Sequence, residues 1–147
     1  MRNGKLYING VDAYEEYGVF LCSDRSGVYD NLSALLTPPR AKSYVTVNYR
    51  EKDGEETEVE QTRYEARDLS LRFALVADSE PVFTLKYQRF LEVIKSGWLE
   101  LRVTETGKTY RVYYLSSPGL VMKTRLKTTG RLLAVWTIKF REPKPEF

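Results

Sequence analysis

The stretch DSEPVFTLKYQRFLEVIKSGWLELRV, residues 78–103, decides the fold. It reads as one amphipathic helix followed by one strand. Asp78 or Ser79 suits the N-cap, where a side-chain oxygen accepts an otherwise unpaired amide. Glu80 and Pro81 fall in the first turn, where an acid meets the helix dipole favourably and a missing N–H costs nothing. Gly97 sits where a helix ends in a left-handed residue. Phe83, Tyr87, Phe90, Leu91 and Ile94 recur at the spacing of one buried face, while Lys86, Arg89, Glu92 and Lys95 take the other. The predicted helix spans about 79–96. A helix with one apolar stripe must lie on something apolar, and its neighbours supply it. Leu69, Leu71, Phe73 and Leu75 before it, and Leu99, Leu101 and Val103 after it, alternate at the period of a strand.

Working outward, Lys5 to Ile8 is a short strand entering an Asn9-Gly10 turn, and Tyr17 to Leu21 is a second apolar run; the two are expected to pair as an N-terminal hairpin. Tyr29, Leu32, Leu35 and Leu36 fit either one helical turn or irregular chain, closed by Pro38-Pro39. YVTVNYR at 44–50 is rich in β-branched and aromatic residues, Asp53-Gly54 favours a tight turn, and Glu56 to Tyr64 forms the return strand. After the helix, Trp98–Val103 turns at TETGK into Thr109–Leu115. Val121–Lys127 and Leu132–Arg141 then flank Thr128-Thr129-Gly130 as a last hairpin, with Trp136, Ile138 and Phe140 on one face. Eight to ten strands, one helix and short connections without βαβ alternation predict a mainly β fold: an antiparallel β-sandwich or split barrel flanked by a single helix. Residues 1–142 are expected to form one domain from which the 44–64 hairpin projects, with 143–147 as a short tail.

Composition excludes much chemistry. The chain of 147 residues is 42% apolar and 13% aromatic, enough for a core without staples. Its single cysteine, Cys22, lies in GVFLCSD without a CxxC partner, so it is expected as a small core residue rather than part of a disulfide framework or thiolate metal site. There is no histidine, which removes the imidazole base, the Ser-His and Cys-His nucleophile pairs and most zinc sites together. Asp24, Asp30 and Asp68 stand singly at turns or strand starts, positions that suit capping. No phosphate loop, EF-hand or dinucleotide fingerprint appears. The expectation is a non-enzymatic protein with no catalytic residues, cofactor or metal. No run of 18 apolar residues occurs and MRNGKLYING lacks a signal-peptide h-region, so soluble, cytosolic synthesis without a membrane partner is expected.

Charge is unevenly spread. Residues 51–107 carry 8 basic and 13 acidic side chains, whereas 108–147 carry 9 and 2. The return strand EETEVEQTRY offers only Val59 as an aliphatic residue, so most of the hairpin cannot be buried on its own core. Six acids among residues 51–60 leave two readings open: a solvated hairpin, or an arm ordered against a neighbouring subunit. The candidate interface residues are Tyr49, Arg50, Glu51, Asp53, Glu55, Glu56, Glu58 and Glu60. Lys123, Arg125 and Lys127 alternate along one predicted strand, joined by Lys139 and Arg141 from its partner, as a candidate basic face. That face is compatible with plain solvation, with an acidic protein surface, or with nucleic acid, for which Tyr110, Tyr113 and Tyr114 would be the stacking candidates. The opposite signs of arm and face permit one copy's arm to dock on the next copy's sheet, a head-to-tail contact that closes into a ring.

Taken together, INGVDAYEEYGVFL, LSALLTPPRAKSYVTVNYREKDGEE, RDLSLRFAL and YQRFLEVIKSGWLELRV resemble tail structural proteins of tailed phages and prophages, in the sense of the N-terminal domain of distal tail proteins and the related tail-tube fold. The likeness spans most of residues 6–140 and lies in element order and phrases rather than a catalytic motif. It implies a β-sandwich or split barrel with one flanking helix, a virion component made in the host cytoplasm, and assembly as a hexameric ring around the channel through which DNA passes. It implies other tail proteins as partners and no enzyme activity. Two departures stand out: distal tail proteins usually carry a further C-terminal domain, and tube lumens are often acidic where the last 40 residues here are basic. The alternative function is a non-enzymatic basic β-barrel module binding nucleic acid or an acidic protein partner.

Overall fold

The computed structural model describes residues 2–22, 29–42, 46–47, 53–54, 56–57, 62–126 and 130–146. In chain order the elements are β1 (Leu6–Ile8), β2 (Val11–Asp12), α1 (Ala13–Tyr17), β3 (Val19–Leu21), α2 (Asp30–Leu36), β4 (Thr46–Val47), β5 (Glu56–Thr57), β6 (Arg67–Ala77), α3 (Glu80–Lys95), β7 (Trp98–Val103), β8 (Lys108–Ser116), β9 (Leu120–Met122) and β10 (Leu132–Glu142). One antiparallel sheet runs β2-β1-β7-β8-β10-β6-β3, with β9 also on β10, and curls into a half-barrel. This agrees with the expected mainly β fold, a β-sandwich or split barrel with a flanking helix. β4 and β5 make a separate two-stranded sheet.

The long helix lies on the inner face of the half-barrel, as its stripe requires. Phe83, Phe90 and Ile94 are buried, Tyr87 and Leu91 partly so, and Arg89, Glu92 and Lys95 are exposed. The helix meets the alternating residues of the two longest strands. Phe73 of β6 lies 6.1 Å from Phe90, 6.0 Å from Phe140 and 6.5 Å from Trp136 between ring centroids, and Phe90 lies 5.8 Å edge-on from Trp136. Such aromatic pairs add to the burial of their area. The pairing that holds this floor is β6 against β10, continuous from Arg67↔Glu142 to Ala77↔Leu132.

The N-terminal hairpin is not formed as expected. β1 pairs with β2 across Asn9-Gly10 and with β7 on its other side, while β3 pairs with β6. Two short helices add to the single one the pattern predicts. The reason for α1 is local: Asp12 accepts the Tyr14 and Glu15 amides at 3.0 and 3.2 Å through one carboxylate oxygen and the Gly4 amide through the other. Gly18 then ends α1 with φ +66° and redirects the chain onto β6, its carbonyl accepting the Val76 amide at 3.0 Å. A Cβ at Gly18 would stand 2.5 Å from the Val76 carbonyl oxygen, and the left-handed backbone disfavours any side chain. Gly18→Ala is therefore expected to destabilise the protein by about 1–3 kcal/mol, and a urea midpoint unchanged from the parent would contradict this.

α2 closes the edge of β6 where β3 runs out. The side-chain amide of Asn31 donates to the Arg72 and Cys22 carbonyls at 3.0 and 2.8 Å, and its oxygen accepts the Arg72 amide at 2.7 Å. One side chain thus replaces a missing strand neighbour and satisfies backbone groups that burial would otherwise leave unpaired.

Candidate assembly surface

The chain on either side of the expected 44–64 hairpin is held together. Ala41 bridges Tyr64, and the Lys42 amide donates to the Arg63 carbonyl at 2.8 Å and the Glu65 amide to the Arg40 carbonyl at 2.7 Å. Directly beyond lies Arg67, the first residue of β6. Its Nε donates to Glu142 Oε1 at 2.6 Å, and Nη1 donates to the Leu35 carbonyl at 3.1 Å and to the Thr37 carbonyl. Arg67 and Glu142 are only 9% and 3% exposed, so this ion pair is a buried clamp that ties the arm's root to α2 and to the end of β10. Charges survive such burial only when paired and hydrogen-bonded, as here.

Within the arm, β4 and β5 pair antiparallel as Thr46↔Thr57 and Val47↔Glu56, with Asp53 exposed and Gly54 at φ +75°. A two-residue turn at Asp53-Gly54 would set Val47 opposite Glu60. The observed ladder is not centred on that dipeptide, although the strands pair as anticipated. Of the candidate interface residues, Asp53 and Glu56 lie in the described arm, whereas Tyr49, Arg50, Glu51, Glu55, Glu58 and Glu60 lie outside the described residues.

The candidate basic face is not one stripe. β9 ends at Met122 rather than running to Lys127: the Lys123 amide still donates to the Leu133 carbonyl at 2.8 Å, but the Leu133 amide donates to the Thr124 hydroxyl at 3.2 Å. A side chain has taken the place of the next backbone partner, so the ladder stops. Lys123 sits opposite Leu133, and Lys139 lies six residues further along β10, about 20 Å at strand rise. Arg125 is exposed beyond the strand and Lys127 lies outside the described residues. Arg141 is engaged by Asp68, Nε to Oδ1 at 2.8 Å. That hydrogen bond holds the Asp68 carboxyl below its ordinary range and raises the Arg141 guanidinium, so Asp68 is an ion-pair partner and not an acid–base group at neutral pH. Nor do the tyrosines form a stacking platform. Tyr110 is buried in the core, Tyr113 packs edge-on against Trp98 at 5.7 Å, and Tyr114 donates its hydroxyl to Ser117 at 3.0 Å.

Lys123 instead belongs to a group the sequence reading missed. Arg2, Arg72, Lys123 and Arg131 surround an open concavity of about 440 Å³ on the outer face of the sheet, floored by Phe20, Ala74, Val76, Leu133 and Val135. Cys22 lines it too, half-buried rather than in the core. Ala74 and Val135, opposite one another in the ladder, are 2% and 8% exposed although they point away from the helix. The signal was present: FALVA at 73–77 and LLAVW at 132–136 are unbroken apolar runs, the mark of strands buried on both faces. Elsewhere, Leu115, Leu120, Val121 and Leu126 are exposed around β9, whose described partner is β10 alone.

Among the described residues no group of three or more Cys, Asp or Glu stands together as a metal site, and no helix is long and apolar enough to cross a membrane. Asp24 lies outside the described residues, and Asp30 opens α2.

No known protein-family profile matches the sequence, and no curated protein matches it. A solved structure does: the Dit (gp 19.1) protein of phage SPP1, described as a paradigm of the hub adsorption apparatus in phages infecting Gram-positive hosts, at 10% identity and a TM-score of 0.51. The match covers 95% of this chain and 50% of that one, so this chain spans about half the length of the phage protein. At that identity the likeness is one of fold: nearly the whole chain takes up a fold that is also found in a phage adsorption hub.

Proposed function

We propose that the protein is a structural component of a phage or prophage tail, of the distal-tail or tail-tube kind, that self-assembles into a ring through its 44–64 hairpin and sheet edges. The observation that carries this is the fold, shared over 95% of the chain with a phage hub protein. Its features agree with that role. The arm is rooted by a buried clamp, an outer concavity bears cations opposite in sign to the arm, and β9 is an apolar strand whose partner among the described residues is β10 alone. In this reading the protein works without catalysis, in the virion, beside other tail proteins, and DNA meets it only in transit through a central channel; six copies per ring is the number carried over from the resemblance.

The alternative, a basic module binding nucleic acid or an acidic partner, draws on the same concavity but lacks the aromatic platform. Electron microscopy of the purified protein at high concentration separates the two. Rings of uniform diameter with a central opening are the expected images. Isolated particles that bind duplex DNA with an affinity falling steeply with salt would favour the alternative instead.

A further inference from the structure

The concavity on the outer face lies across three strands, β3, β6 and β10, that the core already satisfies from the other side. Phe20, Ala74 and Val135 of its floor are successive register partners, and the row continues beyond the concavity to Val121 of β9. They form an apolar row about 15 Å long at strand spacing. Cations stand round the row. The Arg2 guanidinium lies 4.3 Å from the Phe20 ring, Arg72 follows on β6, and Lys123 and Arg131 lie at the other end. No acid lines the concavity among the described residues; Asp78 meets Arg131 from outside at 3.3 Å, with both side chains largely exposed.

We propose that this concavity receives the acidic arm of a second copy, in the segment Glu55–Glu60, with Val59 against the apolar floor and its neighbouring glutamates among Arg2, Arg72, Lys123 and Arg131. The inference rests on the ring-forming reading above and adds the receptor that the reading lacks. The occupant is chosen by charge and composition. Six acids and a single aliphatic within residues 51–60 complement four cations round an apolar floor. Docking from another copy is favoured over the same copy by position. The arm's root adjoins Arg67 at the start of β6, whereas Ala74 lies seven residues on, about 23 Å along the strand.

Cys22 makes the contact testable, because it is the chain's single cysteine and lines the concavity. In full-length Val59→Cys, mild oxidation with diamide should link Cys22 of one copy to the new thiol of the next, two thiols giving one disulfide. Every copy then carries a donor and a receptor, and a ladder of dimers, trimers and higher species is expected on a non-reducing gel. Adding Cys22→Ala should leave dimers at most. Adding Lys123→Glu and Arg131→Glu should slow ladder formation at least tenfold, and Glu58→Lys with Glu60→Lys in that background should restore it. A covalently closed monomer would overturn the proposal in favour of docking within one copy. Assembly of the unmodified protein by light scattering without any ladder would overturn the receptor while leaving the ring reading intact. Absence of assembly altogether would remove both.

Discussion

Glu142→Ala is expected to destabilise the protein by about 3–5 kcal/mol, because it strips the counter-charge from a buried guanidinium and leaves that charge in place. Arg67 retains its bonds to the Leu35 and Thr37 carbonyls, but neither carries a full charge to replace the carboxylate at 2.6 Å. The favourable escape, swinging into water, is blocked by α2 and by the Tyr110 ring, 5.7 Å from the guanidinium carbon. Urea unfolding measures the cost directly. Replacing both charges, as Arg67→Met with Glu142→Leu, should be less damaging than Glu142→Ala alone, since no orphan charge remains. A single substitution costing under about 1 kcal/mol, the range of an exposed pair, would show that water reaches the clamp. In the proposed assembly the clamp would matter too, because it lies beside the base of the 44–64 hairpin.

Phe90→Ala is expected to cost about 3–5 kcal/mol, the range for emptying a fully buried aromatic site. Phe90 is 0% exposed and stands between Phe73, Trp136 and Tyr17 at centroid distances of 6.1, 5.8 and 6.1 Å. The helix backbone is held at both ends, so the surrounding groups cannot collapse fully into the space, and the cavity adds to the lost transfer free energy. Leu85→Ala serves as the comparison on the same helix. Leu85 is exposed, and its loss should change stability by no more than about 0.5 kcal/mol. Similar losses for the two variants would contradict the placement of the helix on the half-barrel. Trp136 fluorescence should also move toward the red in Phe90→Ala as its edge-on neighbour is removed.

The helix and its flanking strands were legible because their periodicity is a local property: 3.6 for Phe83 to Ile94, and two for Leu69 to Leu75. What periodicity does not encode is which strand lies beside which. Val19–Leu21 was apolar and short enough to pair with Lys5–Ile8, and the chain sends it to β6 because Asp12 and Gly18 build a helix between them. Continuing a strand through Lys123, Arg125 and Lys127 predicts a basic stripe, and a single threonine hydroxyl ends that ladder early. Arg67 and Glu142 are 75 residues apart, and no feature near either one announces the other. The concavity draws Arg2, Phe20, Arg72, Lys123 and Arg131 from five separate segments. Its only sequence trace was the pair of unbroken apolar runs in β6 and β10, which say that both faces are covered and not by what.

In the proposed role the fold works by assembling with copies of itself through the 44–64 hairpin. The most direct measurement is the mass of the purified chain in solution by light scattering, across concentration and salt, beside a version lacking Glu51 to Glu60. The expected result is a concentration-dependent closed multiple of the 17.1 kDa chain that persists in moderate salt and falls to monomer on the deletion. A strict monomer at every concentration, indifferent to the deletion, would contradict it.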